Sequence, residues 1–255
     1  MKNLKEFHSK IEFVLTDIDD TLTTEGQLHS SAYNSLWQLH DAGLKVIPIT
    51  GRPAGWCEMI ARQWPVAGVV GENGGFYFHY SNKKMHRWFS VTSHSENRKK
   101  LDLIQTEVLQ KIPGAALASD QFCRLMDLAI DFCEDVPPLT PSAVDEIVRL
   151  FQSHGAQAKV SSIHVNGWFG NYNKLSTAFQ FLKDNYQLSE EDALKKCIFI
   201  GDSPNDEPLF EKFPHSFGVA NINAFASKMK SLPTYVASQN GGDGFTEIAQ
   251  HILGI

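Results

Sequence analysis

The 255-residue sequence contains no apolar run of membrane-spanning length. Its opening, MKNLKEFHSK, lacks the apolar stretch of a secretion signal. These two absences predict a cytoplasmic protein without a membrane partner. Cysteine is sparse: Cys57, Cys123, Cys133 and Cys197 lie far apart and form no CxxC pair, which argues against disulfides and zinc and for reduced, mostly buried thiols. Excess positive charge is missing too. A net charge of −6 speaks against nucleic acid as the main partner, while leaving room for local basic sites that hold small anions. No internal repeat and no low-complexity tract breaks the chain. What remains, 42% apolar and 20% charged, is an ordinary globular composition, long enough for one large domain or two modest ones.

Against that background one stretch stands out, IEFVLTDIDDTLTTEG from Ile11 to Gly26. An apolar, strand-like run ends in Asp17, Asp19 and Asp20. Carboxylates so close repel one another, and burying them is costly without compensation. The run leads either into a solvated acidic turn or into a site for metal and phosphate, and the rest of the chain has to decide.

Residues 11–16, 44–50 and 66–70 read as short, fully apolar strands, separated by helices near 30–42 and after the GRP at 51–53. In the first helix Tyr33, Leu36, Trp37 and His40 fall on one face, and Gly43 suits its stop; in the second, Trp56, Met59 and Ile60 do. This β-α-β-α-β order predicts an α/β, Rossmann-like doubly wound parallel sheet. From about 76 to 170 the rhythm changes to an inserted α+β segment. It has a strand in RLMDLAIDFC, a helix over 141–153 with Thr140 as N-cap and Pro141 at N1, and a hairpin in AQAKVSS and IHVNGWF. The βα pattern then returns with a helix at 174–186, the buried strand CIFIGD, short strands in SFGVAN and TYVAS, and a final helix over 244–253. Residues 1–78 and 169–255 thus read as one core, and 79–168 as a domain inserted into it.

Polar clusters follow the strands of that core, where open α/β sheets bind ligands. Asp17 and Asp19 follow the first strand, Thr50, Gly51 and Arg52 the second, and Asp202, Ser203, Pro204, Asn205 and Asp206 the strand CIFIG; Lys174 opens the helix after the insertion. Oxygen ligands with no His/Cys set suit Mg2+ rather than zinc. Thr50 and Lys174 could neutralise phosphate oxygens, and a carboxylate beside phosphorus can act as a nucleophile. Each piece also has a plainer reading. DSPND makes a good helix start by itself, Thr50 could cap a turn, and Arg52 could be a surface residue. Lys174 is odder, since a cation at a helix N-terminus opposes the helix dipole unless an anion lies nearby.

Taken together, DIDDT, ITGR, YNK and GDSPND resemble, in order and spacing, the four motifs of the haloacid dehalogenase (HAD) superfamily of phosphatases, and GENGG at 71–75 resembles the Asn-Gly loop of its subfamily IIB, whose members carry an α/β cap where the insertion lies. The resemblance implies Asp17 as nucleophile and Asp19 as general acid and base. Thr50, Gly51, Arg52, Lys174 and Asn205 would surround the phosphoryl group. Asp17, the Asp19 backbone carbonyl, Asp202 and Asp206 would hold Mg2+. It further implies a phosphatase acting on a phosphorylated sugar or similar small metabolite, with a phosphomannomutase-like transferase or a non-catalytic phospho-receiver as alternatives; Asp19 and the large cap speak against the receiver. Asn73, Arg124, Asp131, His164, Asn166, Trp168 and Asn171 are candidates for contact with the leaving group, with Trp168 either stacking on a sugar or packing at the hinge. Two departures matter: Asp20 replaces the usual glycine of DxDGT, and Leu175 replaces the glycine that commonly follows the lysine.

Overall fold

The computed structural model describes residues 1–161 and 163–255. The chain runs through an edge strand β1 (Lys2–Asn3), strand β2 (Phe13–Thr16), helix α1 (Ser30–Asp41), strand β3 (Lys45–Pro48), helix α2 (Ala54–Gln63) and strand β4 (Val69–Gly71). A hairpin, β5 (Phe76–Ser81) and β6 (Lys84–Phe89), leads outward. Then come α3 (His94–Lys111), β7 (Ala116–Leu117), β8 (Asp127–Asp131), α4 (Pro141–Ser153), β9 (Gln157–Val160) and β10 (His164–Trp168). The chain returns through α5 (Lys174–Tyr186), α6 (Glu190–Lys196), β11 (Cys197–Gly201), α7 (Glu207–Lys212), β12 (Ser216–Gly218), β13 (Tyr235–Val236) and α8 (Gly241–Leu253). No helix among the described residues is long and apolar enough to cross a membrane.

The core is a parallel sheet in the order β1-β13-β12-β11-β2-β3, extended to β4 by a parallel bridge between Ile49 and Val70. The central strands β2 and β11 are apolar throughout because both of their faces are covered. Val14, Val46, Ile198 and Ile200 pack with α1 and α8 on one face, while Phe13, Leu15, Ile47 and Phe199 pack with α5, α6 and α7 on the other. The α/β expectation therefore holds. The inserted segment forms a separate antiparallel sheet, β7-β8-β10-β9, with α3 and α4 on one side. Its two central strands alternate. Leu128, Ile130 and Val165 face the helices, and Asp127, Asp131, His164 and Asn166 are buried polar residues. The expected boundary between residues 78 and 79 falls inside β5, whose hydrogen bonds to β4 and β6 tie the hairpin to the core sheet edge.

Several elements follow the sequence closely. Helix α4 has Thr140 as its cap, accepting the Ala143 amide, and α5 spans 174–186 as expected. The strand expected at AQAKVSS is β9, and its last residue, Ser162, lies outside the described residues. Other readings need correction. The buried face of α1 is Ala32, Ser35, Leu36 and Leu39, with Trp37 43% exposed; that of α2 is Cys57, Ile60 and Ala61, with Trp56 and Met59 on the surface. In both helices close packing on the sheet favours small and branched residues, and the bulkiest side chains lie at the margin, where Trp56 sits beneath the Arg52 guanidinium at 4.4 Å. Helix α3 escaped the sequence reading because its 18 residues are strongly polar and bury only the narrow stripe of Leu101, Ile104 and Val108. Helix α8 starts three residues early, at Gly241.

The cap is tied to the core by a buried carboxylate. Glu72, just after β4, accepts the amides of Ala54 in the core and of Leu125, Met126 and Asp127 in the cap. It holds a left-handed φ of 44° to do so, as does Asn73 at 57°. Gly74 follows at φ 101°, where a Cβ would lie 2.3 Å from the Asn173 carbonyl, so the loop can press on the start of α5 only with glycine there. Burial, and then the neighbouring Asp127, push the Glu72 carboxyl up to about 8, against the pull of Arg124 and the amides. A carboxyl whose pKa is higher folded than unfolded favours the fold most at low pH and loses that effect as pH rises through the folded value. Glu72→Gln keeps one acceptor oxygen and strands the amides that Oε2 served, a loss of about 1–3 kcal/mol for each. In urea melts the advantage of wild type over Glu72→Gln should be largest near pH 4.5 and shrink toward pH 8. An advantage growing with pH would show the reverse coupling.

Candidate active site

Strand β2 ends at Thr16, and its neighbour β11 ends at Gly201, so Asp17 and Asp202 emerge side by side at the carboxyl edge of the sheet. Asp206 comes back to them on the short turn begun by Pro204, and its Oδ2 accepts the Asp202 amide at 3.2 Å. Gly201 is needed for this return, since a Cβ there would sit 2.5 Å from the same Oδ2. One carboxylate oxygen from each of Asp17, Asp202 and Asp206 can be drawn from a cluster within 4.8 Å, and all three residues are buried. Burial, before any neighbour, pushes the Asp17 carboxyl up to about 7, and burial followed by Asp206 and Asp17 pushes Asp202 well above the usual range. Three hard oxygen donors, of which Asp17 and Asp202 have their ionisation opposed by burial and by neighbouring carboxylates, make a set that a divalent cation fits.

Lys174 supplies part of the missing positive charge. Its ammonium is buried, 2.9 Å from Asp17 Oδ1 and 3.1 Å from Asp206 Oδ1, and the two carboxylates raise its pKa against the opposing effect of burial, the larger single influence. The Asn173 side chain caps α5 by accepting the Ser176 amide, so the lysine at N1 points into the carboxylates instead of at its own helix. This resolves its unusual place at a helix start. Lys183, the other lysine of α5, is exposed. Leu175, in place of the usual glycine, is partly buried and packs against the core.

Asp19 is held apart from the triad. The Arg52 guanidinium donates to Asp19 Oδ1 at 2.8 Å and lies 3.4 Å from Glu134 of the cap. Thr50, fully buried, accepts the Arg52 amide at 3.0 Å and keeps its hydroxyl hydrogen to donate. The cleft between core and cap is lined by Asp17, Asp19, Gly51, Arg52, Asn73, Lys174, Asp202 and Asn205 from the core and by Arg124, His164 and Asn166 from the cap. Its free space is about 30 Å³, the share of a single water in the liquid.

The cap candidates divide by what they touch. Arg124 holds Asp120 with two nitrogens at 2.8 and 3.1 Å, reaches Asp127 at 3.1 Å and donates to the Gly51 carbonyl at 3.0 Å, which clamps the cap onto the Thr50–Arg52 loop. Asn166 donates to Asp127, and Asp131 accepts the amides of Cys133, Glu134 and Asp135 in its own loop. Trp168 stacks on Tyr172 at 5.7 Å within the core cluster, and Asn171 is exposed. Asn73 keeps a buried amide nitrogen without a partner, beside Gly51 and facing the cleft. His164 Nε2 lies 2.9 Å from Glu134, close by distance though not aligned as a hydrogen bond. Glu134 went unnoticed in the sequence; its position just past a strand that ends in Asp131 was the available signal.

Residues 14–106 match the family model of haloacid dehalogenase-like hydrolases. The motif resemblance holds. A structure of protein 0175 from Thermoplasma acidophilum aligns with a TM-score of 0.72 at 20% identity, covering 96% of this chain and 100% of that one. A haloacid dehalogenase-like hydrolase from Bacteroides thetaiotaomicron aligns at 0.69 and 14% identity, over 95% and 100% of the two chains. Sucrose-phosphatase from Synechocystis, solved with sucrose and phosphate, aligns at 0.65 and 16% identity, over 96% and 98%. At these identities the structures show a shared fold. No curated protein matches the chain.

A metal held by the triad stabilises only the folded state. Millimolar divalent cation should raise the melting temperature of the wild type by several degrees and leave that of Asp202→Asn nearly unmoved. An equal rise in both, read by scanning fluorimetry, would place the metal elsewhere.

Proposed function

We propose that the protein is a Mg2+-dependent phosphatase that hydrolyses a phosphomonoester of a sugar or similar small metabolite through an aspartyl-phosphate. The observation that carries this reading is the division between two carboxylates two residues apart. Asp17 is buried between Lys174 and the carboxylates of Asp202 and Asp206. Asp19 is turned from them toward the cap and held by Arg52.

Mg2+ would be held by Asp17, Asp202 and Asp206 with the Asp19 backbone carbonyl, and when bound it draws charge from the phosphoryl oxygens and favours ionised Asp17. Asp17 then attacks phosphorus and the bond to the leaving oxygen breaks. Asp19, in its protonated form, gives that oxygen its proton. Lys174 and Thr50 donate to phosphoryl oxygens throughout, in a narrow cleft between core and cap. Asp19, now a carboxylate, takes a proton from a water that attacks the aspartyl-phosphate. Phosphate leaves and Asp17 is restored. Sucrose-phosphatase among the structural neighbours supports a sugar phosphate as the substrate class. The cap carboxylate Glu134, in contact with the cleft residues Arg52 and His164, adds an acceptor of the kind that binds hydroxyls.

The two aspartates should fail in different ways. With Asp17→Asn neither covalent phosphate nor product should form above background. With Asp19→Asn the loss on an alkyl phosphate should be about 10²–10⁴-fold, the usual worth of general acid–base catalysis. p-Nitrophenyl phosphate needs little help to leave, so this variant should release a burst of nitrophenol and accumulate phosphate on Asp17. Rapid quench with mass spectrometry reads both. A normal steady-state rate in Asp19→Asn would refute the division of labour.

A further inference from the structure

Beside Lys174 the cleft adjoins a second small space between the start of α5, the turn into α7 and the cap sheet. It holds about 40 Å³, shares Asn73, Lys174 and Asn205 with the cleft, and adds Lys159 and Trp168 from β9 and β10. That is far below the roughly 300–1,000 Å³ of sites for whole small molecules, so it suits a small group. The charge of its wall is the reverse of the cleft's. Asp17, Asp19 and Asp202 line the cleft, whereas no carboxylate lines this pocket among the described residues.

The polar wall of this pocket is rich in donors. The Trp168 indole nitrogen and the Asn73 amide nitrogen are both buried and have no hydrogen-bond partner among the described residues. Both groups are donors, so the pair calls for acceptors. Lys159 stands opposite Asn166 in the register of β9 and β10, on the face of the cap sheet that also carries Trp168. It is exposed and enters no ion pair among the described residues, whereas Arg124 in the cap joint is held by Asp120 and Asp127. Lys174 is balanced by Asp17 and Asp206, so the excess positive charge of the pocket is that of Lys159. The first residues of α5, which bound the pocket, add the positive end of a 13-residue helix. An uncompensated cation, unpaired donors and a helix start together fit a group with negative charge and several acceptor oxygens.

We propose that this pocket is a second oxyanion site, separate from the acidic triad, in which Lys159, Trp168 and Asn73 hold one small oxyanion, either free inorganic phosphate or an acidic group of the ester. The site stands on the pocket alone; filling it with phosphate made in the cleft rests on the phosphatase reading. The first test titrates the full-length protein with inorganic phosphate, in EDTA and at fixed ionic strength, and follows tryptophan emission, which Trp168 makes sensitive to the pocket. Without metal the carboxylates of the triad disfavour an anion, so this titration reads the pocket and not the cleft. Wild type should show a saturable change, with half-saturation about tenfold higher in Lys159→Ala and close to wild type in Lys159→Arg. Lys159 is exposed, so its replacement leaves the fold intact. No saturable change in wild type, or the same half-saturation in Lys159→Ala, overturns the site. The second test adds Mg2+ and separates the two sources. Inhibition of p-nitrophenyl phosphate turnover by inorganic phosphate that lowers kcat in wild type and becomes purely competitive in Lys159→Ala assigns the pocket to free phosphate. A fall of about tenfold in kcat/KM for phosphoglycolate, but not for ethyl phosphate, in Lys159→Ala assigns it to an acidic group of the ester. Neither change overturns occupation of the pocket during turnover. Binding of phosphate in EDTA with no release from any ester overturns the phosphatase reading and leaves the site.

Discussion

The ammonium of Lys174 sits in the middle of the molecule's least favourable arrangement. Three carboxylates lie within a few ångströms of one another, away from water, and burial together with repulsion opposes the ionisation of Asp17 and Asp202. Lys174 offsets part of that by touching two of them. The rest of the core is arranged to make the contact possible. Strands β2 and β11 are adjacent so that Asp17 and Asp202 emerge together, Gly201 leaves space for Asp206, and Asn173 turns the first residue of α5 inward. One lysine cannot balance three ionised carboxylates, and the set is one that a divalent cation could fit.

A second buried charge cluster governs how the cap meets that site. Glu72 gathers amides from both halves of the molecule, and Arg124 binds two cap aspartates and the Gly51 carbonyl. Both lie next to residues that face the cleft, Glu72 beside Asn73 and Arg124 above the Thr50–Arg52 loop. Arg52, in that loop, also bridges Asp19 of the core and Glu134 of the cap. Charges buried in this way fix relative position more than they add net stability, because their desolvation cancels much of their attraction.

Much of the fold was legible in short patterns. The unbroken apolar runs of β2, β3 and β11 announced a sheet covered on both faces, and RLMDLAIDFC, AQAKVSS and IHVNGWF read as strands of an inserted segment. The failures have physical causes. Helix α3 is polar enough that its narrow buried stripe gives little periodic signal. In α1 and α2 the large aromatics suggested a buried face, but the sheet accepted smaller side chains and left Trp37 and Trp56 at the margin. Of the site, the aspartates and Lys174 could be named from their places after strands, while the partners of Arg124, which lines the cleft and is held by Asp120 and Asp127, could not.

The sequence by itself determined which residues are the candidates for chemistry. Strand-end positions, carboxylate spacing and a lysine at a helix start are local features, and local features survive in one dimension. Tertiary structure alone decided which two carboxylates the lysine touches, that Arg124 both lines the cleft and is held in the cap joint, and that Asp20 stands outside the triad. Those outcomes depend on contacts between residues as far apart as Asp17 and Lys174, or Asp20 and Asn221. Only the packed core, which sets distance and removes water, assigns such partners.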